Sequence, residues 1–325
     1  MKQPLVTVIV AVYKVEEYIE RCLHTLFGQT LENIEYIFID DASPDSSMEI
    51  LMNVLLQYPD RKDQVKIIRH EQNQGVAAAR TSGILAATGE YMIHCDPDDF
   101  LELNMYEEMY NTAKRENTDL VFCDFVRHLD TKKLIFNLDI PSTPHKYLKL
   151  RGGIHHGAPL WNVLTRSSII KTNNILPFKG GDFEEDYICL TRILYYSISL
   201  IHIHKPLYHY VSRPTSICNF TKINKRYEVN KINIDAFSDF FKDKKGFKNL
   251  RRYKQLIFKF SYKRVFLDNP EDWYNMYKDC HKAIFLVNNE KIKTRIIWAI
   301  FLVNPLFFKW GQNLYNKITG RNLLD

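Results

Sequence analysis

Between residues 5 and 99, four apolar runs alternate with three stretches of helical character. Leu5–Tyr13 (LVTVIVAVY) is almost continuously apolar and β-branched, the pattern of a strand buried on both faces. Glu16–Gly28 then sets Tyr18, Ile19, Cys22, Leu23, Leu26 and Phe27 at helical intervals. Ile34–Ile39 reads as a second strand, closed by Asp40-Asp41. Ser43-Pro44-Asp45 is expected to open a helix to about Tyr58, with Ser43 as N-cap and Pro44 in the first turn. Val65–Arg69 is a third strand, Gly75–Ala87 a third helix, and Tyr91–Cys95 a fourth strand ending at Asp96-Pro97-Asp98-Asp99. Alternation of this kind predicts an α/β fold, a parallel sheet with helices on both faces. In open sheets of this sort ligands bind beyond the carboxyl ends of the strands. Tyr13, Asp40-Asp41 and Asp96–Asp99 each lie just past one.

The remainder is less regular. A helix is expected over Met105–Lys114, a strand over Asp119–Arg127, and irregular chain over 130–160. A short helix starts near Ser167, a turn lies at Gly180-Gly181-Asp182, and a helix follows over Glu185–Ser197. Leu200–Ile203 and Leu207–Val211 read as two short strands, and the chain after about Asn224 as helical.

Charge divides the chain at the same place. Residues 1–221 carry 22 Lys+Arg against 28 Asp+Glu, a net of −6, whereas 222–325 carry 22 against 10, a net of +12. An acidic first part does not look like a nucleic-acid binder; the basic second part could face nucleic acid, anionic lipid or water. The six cysteines form no CxxC pair, which argues for reduced thiols in a cytoplasmic protein. Leu5–Val12 is short and lacks a small-residue cleavage site, so it reads as a buried strand rather than a signal peptide. No run reaches ~18 uninterrupted apolar residues, so no transmembrane helix is expected.

Four clusters could carry chemistry. Asp96-Pro97-Asp98-Asp99 concentrates carboxylates that repel one another unless a hard cation such as Mg²⁺ or Mn²⁺ lies between them. The competing reading is capping of a helix over Phe100–Tyr110 by Asp98 or Asp99. Asp40 and Asp41 could accept from a nucleoside, or Ser43 and Asp45 could simply cap a helix. Arg80, inside the helix begun at Gly75, suits phosphate contact or a structural ion pair. Asp182-Phe183-Glu184-Glu185-Asp186 either complements a helix dipole or supplies a general base. No HExxH, GxSxG, GxxxxGK[ST] or GxGxxG occurs, which argues against zinc hydrolases, serine hydrolases, P-loop NTPases and dinucleotide dehydrogenases.

In combination and order, VTVIVAVYKVEEYIERCLHTLFGQT, IEYIFIDDASPDSS and NQGVAAARTSGILAATGEYMIHCDPDDF resemble family 2 glycosyltransferases of bacterial cell-surface polysaccharide synthesis. The resemblance runs over roughly residues 4–220. It implies the GT-A fold, a mostly parallel Rossmann-like sheet, as a catalytic domain over 1–221, with a nucleotide-sugar half (1–104) and an acceptor half (105–221). Residues 222–325 form a helical C-terminal region outside it. It implies a nucleotide-diphospho-sugar donor, a UDP-sugar by family habit, and transfer of its hexosyl or N-acetylhexosaminyl group to a glycan or lipid-linked hydroxyl with inversion. Tyr13, Glu16, Asp40 and Asp41 would lie at the base, Arg80 and Arg213 near the diphosphate, and Asp96 toward the ribose. Asp98, with Asp96, would hold Mn²⁺ or Mg²⁺. Asp186 would be the catalytic base, with Glu185 and Trp161 on the acceptor side, and Tyr210, Arg213 and Ser216 in a late loop. The sequence departs from the family's Pro-x-Tyr-Asn by having Ala11-Val12-Tyr13-Lys14, which bears on the donor base and not on the fold.

A sugar-phosphate nucleotidyltransferase would want a Gly-rich basic loop after the first strand, and Tyr13-Lys14-Val15-Glu16 is not one. A non-catalytic membrane scaffold of the same fold would have lost carboxylates that are all present here. In the C-terminal region, Phe258–Phe266 interleaves bases and aromatics, and Ile296–Trp310 is apolar with flanking lysines and arginines. That pattern favours peripheral contact with an anionic membrane on its cytoplasmic face over packed helices or nucleic acid.

Overall fold

Alternate side chains of the first strand serve two different layers. The computed structural model describes residues 3–151, 159–213, 223–266 and 269–286, with the single positions Ala299, Leu302, Phe307 and Trp310. Strand β1 (Val6–Val12) points Val6, Val8, Val10 and Val12 into the main core. There they meet Leu23, Leu26 and Phe27 of α1 (Ile19–Phe27), Leu51 and Val54 of α2 (Ser47–Leu55), and Met105 and Met109 of α4 (Met105–Arg115). Burying each such side chain stabilises the fold by about 1.5–3 kcal/mol. The other face of the sheet seats α3 (Val76–Ala86) very closely: a Cβ at Gly83 would fall 2.4 Å from Ile9 Cγ2 and 2.9 Å from Ile39 Cδ1. Helices therefore cover both faces, as the alternation predicts.

The remaining strands are β2 (Ile34–Asp40), β3 (Val65–Arg69), β4 (Tyr91–His94), β5 (Phe100–Leu101), β6 (Leu120–Leu129), β7 (Lys132–Phe136), β8 (Val163–Arg166) and β9 (Leu200–Val211). They form one sheet in the order β3-β2-β1-β4-β8-β6-β9-β5, with β7 on β6. The first four are parallel to one another. Strand β8 is antiparallel to both β4 and β6, while β9 runs parallel to β6. The chain moves outward from β1 to β3 and then returns to the far side of β1 for β4. The crevice at the carboxyl ends of β1 and β4 is the switch point at which such sheets bind ligands.

Several local expectations are corrected. Helix α2 starts at Ser47 and not at Ser43. The Lys14 amide donates to Ser43 Oγ at 2.8 Å and the Glu16 amide to Asp45 Oδ2 at 3.1 Å, so Ser43 ties down the end of β1, while Asp45 does so and also accepts at Oδ1 from the Ser47 amide, at 3.3 Å, where α2 begins. Phe100–Leu101 is a short strand, which removes the reading of Asp98 or Asp99 as a cap for a helix beginning there. The segment 130–160, expected to be irregular, contains β7 and α5 (Pro144–Arg151). Strand β7 escaped notice because Leu134 and Ile135 are exposed and leave no buried periodicity. Leu200–Val211 is one strand, not two: Pro206 lies at a register shift, where a missing amide costs the ladder nothing. His155, His156, Ser216 and Cys218 lie outside the described residues.

The chain divides into two compact units, one of residues 1–148 and 157–219, the other of 149–156 and 220–325. Helices α6 (Ser167–Thr172) and α7 (Glu185–Tyr196) complete the first. The second contains α8 (Ile223–Phe240), α9 (Lys248–Ser261) and α10 (Pro270–Asn275), with a core of Leu256, Phe260, Trp273, Cys280, Ala283 and Ile284. The interleaved stretch Phe258–Phe266 is therefore corrected as a surface feature, since Phe258, Lys259, Phe260 and Tyr262 are buried. Among the described residues, no helix is long and apolar enough to cross a membrane.

Candidate active site

The end of β2 and the start of α3 are joined by one carboxylate. Asp41 is buried; its Oδ1 accepts from the Gln74 amide at 2.9 Å and from the His70 ring at 2.7 Å, and its Oδ2 accepts from the Gly75 amide at 2.9 Å. Asp41 thus fixes the loop that enters α3. Asp40, beside it, accepts from the Ser43 amide at 2.9 Å and stands 3.8 Å from Arg69. Glu16 accepts from the Ser46 amide at 3.0 Å, bracing the entry to α2. Tyr13 is 39% exposed at the mouth of β1, and Nζ of Lys14, which is in a left-handed conformation, lies over its ring at 5.2 Å from the centroid.

Arg80 links three elements. Its side chain is buried; Nη2 donates to Asp96 Oδ1 at 3.0 Å and Nη1 donates to Glu185. Burial works against the charge, but Glu185, Asp96 and Asp186 hold the guanidinium firmly protonated. Asp96, Glu185 and Asp186 share this one cation. Burial raises Glu185 to about 7, with Arg80 opposing and Asp186 adding to the rise, and burial likewise raises Asp186 against Arg80. Asp186 Oδ1 accepts from the Tyr187 amide at 2.7 Å. Just before this pair, Glu184 sits at φ 63°, a strained conformation of the kind that collects at functional sites.

The three aspartates after β4 have separate partners. Asp98 Oδ2 accepts from Arg213 Nε, and the Arg213 guanidinium lies 4.9 Å from the Tyr18 ring centroid. Burial and then Asp96 raise the Asp98 carboxyl against the pull of Arg213. Asp99 is fully buried and accepts from Tyr208 Oη and from the Val211 amide, both at 2.8 Å, so it pins β9 to the site. Asp182 Oδ1 accepts from the Ala77 amide at 2.9 Å, capping α3 from the segment before α7. His94 is buried beside Arg80 and kept neutral, first by burial and then by that charge. The roles of Asp99, Asp182 and His94 were not anticipated. Only the recurrence of carboxylates near predicted helix starts could have hinted at Asp182.

Trp161 stacks on Tyr208 at 4.1 Å and on Tyr210 at 6.0 Å between ring centroids, and it is 6% exposed. It is chiefly a wall of the core beneath the site. Asp96, Asp98, Arg80, Arg213, Glu185 and Asp186 are thus brought together, whereas Asp41 and Glu16 are occupied by backbone amides. The donor set fits a hard divalent cation. Among the described residues, Asp96 Oδ2 and Asp98 Oδ1 accept from no side chain, and both are carboxylate oxygens of the kind Mg²⁺ and Mn²⁺ prefer.

Residues 7–172 match the family described as Glycosyl transferase family 2. The chain belongs to this family. A family 2 relative, "Putative glycosyltransferase EpsH" of Bacillus subtilis (strain 168), is 36% identical over 225 residues, 67% of this chain and 63% of that protein. The chain therefore spans less than two-thirds of that relative. Glycosyltransferase GlyG of Streptococcus pneumoniae is 26% identical over 222 residues, 66% of this chain and 72% of that protein. Among solved structures, S. aureus TarS 1-349 in complex with UDP-GlcNAc aligns with TM-score 0.72 at 16% identity, covering 98% of this chain and 92% of that one. The fold of this family 2 chain is accordingly GT-A, built on a curled α/β sheet. A mannosyltransferase from Pyrobaculum calidifontis, solved with GDP-Man and Mn²⁺, aligns with TM-score 0.56 at 15% identity, covering 98% and 89%.

Proposed function

We propose that this protein transfers a hexosyl or N-acetylhexosaminyl group from a nucleotide-diphospho-sugar to a hydroxyl of a glycan or lipid-linked acceptor, with inversion. The observation that carries this reading is the Arg80 bridge, which sets Asp96 at the end of β4 against Glu185 and Asp186 at the start of α7. Donor-side and acceptor-side carboxylates then share one buried guanidinium. A UDP-sugar is the favoured donor, and the complex of the TarS neighbour with UDP-GlcNAc is in keeping with it.

Tyr13 offers its exposed ring to the base. Arg80 and Arg213 place positive charge where the diphosphate leaves, and their carboxylate partners preorganise both. Mn²⁺ or Mg²⁺ on Asp98 and Asp96 would, when bound, neutralise diphosphate charge and so improve the leaving group. Asp186 accepts the acceptor's hydroxyl proton. The acceptor oxygen bonds to the anomeric carbon as the bond from that carbon to the diphosphate oxygen breaks, the electron pair leaving with the diphosphate. One displacement inverts the centre. Glu185 is less suited to be the base because Arg80 already occupies it.

A panel of nucleotide sugars with Mn²⁺, read as nucleotide diphosphate release, tests the reading; no release from any donor, with or without acceptor glycans, would defeat it. Peripheral contact with the cytoplasmic face of an anionic membrane belongs to the same proposal. In the apolar stretch Ile296–Trp310, Phe307 and Trp310 are exposed, as is Ala299, while Leu302 packs against the core of the second unit; the other positions lie outside the described residues. Flotation with anionic liposomes should retain the full chain and lose a 1–285 truncation; equal binding by both would refute the membrane contact.

A further inference from the structure

A second group of metal-ligand side chains gathers at the β6–β9 register shift. His202 and His204 are two apart on β9, so their rings leave the same face of the strand. The pairing passes from Cys123↔Ile203 to Asp124↔Pro206, which leaves His204 and Lys205 without partners on β6 and draws Asp124 level with the two rings. One ligand atom from each of Asp124, His202 and His204 lies within 4.8 Å of the other two. Asp124 is already oriented: its Oδ1 accepts from His202 Nε2 at 2.8 Å and from the Leu138 amide at 2.7 Å. The Asp124 and His202 side chains are 1% and 6% exposed, while His204 is exposed and gives an ion a way in.

His202 Nε2 and Asp124 Oδ1 face each other at 2.8 Å, so an ion on this pair would take the place of the proton they share. His202 Nδ1, on the far side of the ring, is buried with no hydrogen-bond partner among the described residues. Asp139 adds negative charge nearby. Two imidazoles and one carboxylate form the donor set of a borderline cation, not of Mg²⁺ or Mn²⁺. Three protein ligands leave the fourth tetrahedral position to water.

We propose that Asp124, His202 and His204 bind a transition-metal ion of the Zn²⁺ class, at a site distinct from Asp96 and Asp98. Tyr208, which bonds Asp99 beside the donor site, lies six residues further along β9 than His202, ~20 Å of strand at ~3.3 Å per residue. The ion would fasten the bulge between β6 and β9, the strand whose far end Asp99 anchors.

The test is calorimetric titration of the chelator-stripped full chain with Zn²⁺ and with Co²⁺ as a visible-absorption probe. One equivalent should bind, raise the melting temperature and give tetrahedral Co²⁺ bands, all of which survive Asp98→Ala. Since losing a mere supporting hydrogen bond weakens metal sites about 10–100-fold, His204→Ala should weaken binding at least about 10-fold and abolish the bands. His204 is exposed, so its removal leaves folding intact; Asp124→Asn, nearly isosteric, should act likewise. Undiminished Zn²⁺ binding by His204→Ala, loss of the equivalent in Asp98→Ala, or no binding by the parent chain overturns the proposal.

Discussion

Arg80 donates to Glu185 across 105 positions of sequence, and the pair is buried. The guanidinium also reaches Asp96 and lies close enough to Asp186 to be held charged by it. Three carboxylates therefore lean on one cation, with Arg80 and Glu185 in the interior and Asp96 about a third exposed. Burial, reinforced by the neighbouring negative charge and opposed by Arg80, keeps a proton in the cluster to higher pH, so the Glu185 and Asp186 carboxyls are raised.

Replacing the shared cation tests this directly. In Arg80→Met the carboxylates lose their main stabilising charge, so their pKa values rise further. A base that must be ionised then works only at higher pH. The acidic limb of kcat/KM should move up by roughly 1–3 pH units. An unmoved limb would show that Arg80 does not govern the base.

Asp186→Asn keeps shape and removes proton acceptance. Turnover should fall about 10²–10⁴-fold while calorimetric donor affinity stays near that of the parent. Wild-type turnover would remove Asp186 from the role of base.

Asp98→Ala separates the cation from the fold. Donor binding should lose its enhancement by Mn²⁺, while Arg213, freed from its carboxylate, keeps some affinity for the diphosphate. Identical binding isotherms for parent and variant, with and without Mn²⁺, would count against a cation on Asp98.

The part of this architecture visible in the sequence is the part with local signals. Strands β1, β2 and β4 are buried apolar runs, β3 is a half-buried Val65-Lys66-Ile67-Ile68-Arg69, and α1 has a one-sided apolar stripe, so the pattern of the sequence finds them. Asp96, Asp98 and Asp186 stand in dense carboxylate clusters that a sequence displays openly. What was hidden is pairing over distance. Nothing near Asp99 announces that it will hold Tyr208 and the Val211 amide, and nothing near Asp182 announces a cap for a helix begun at residue 76. Asp41 reads as a ligand group until the loop amides of Gln74 and Gly75 fold onto it. Strand β8 has four residues and β5 two, too few for a period to emerge.

Gly75 is where that long-range capping is most exposed to substitution. Its φ is 89° with ψ 164°, a region only glycine occupies comfortably. A Cβ there would lie 2.5 Å from both Asp182 carboxylate oxygens. Gly75→Ala should cost about 1–3 kcal/mol from backbone strain, and more if Asp182 is pushed off the Ala77 amide. Chemical denaturation measures this; an unchanged midpoint would contradict the strain.

Lys259 gives the second unit a pH dependence of its own. It is buried in α9; Nζ donates to the Tyr274 and Met276 carbonyls at 2.6 and 3.0 Å and lies 4.7 Å from the Trp273 ring centroid. Burial pushes its ammonium down from 10.5 to about 8. Between those values the unfolded chain binds the proton more completely than the folded one, so this group makes stability rise with pH. Burial pushes Cys280 up from 9.0 to about 12, which has the opposite effect above pH 9. Taking the difference from Lys259→Met removes the thiols common to both proteins, so between pH 8 and 9 it isolates Lys259. Relative to Lys259→Met, the parent chain should gain up to about 1 kcal/mol of stability across that window. Urea unfolding followed by tryptophan fluorescence reads the difference. A constant offset between the two proteins from pH 8 to 9 would mean that Lys259 keeps its ordinary pKa in the folded unit.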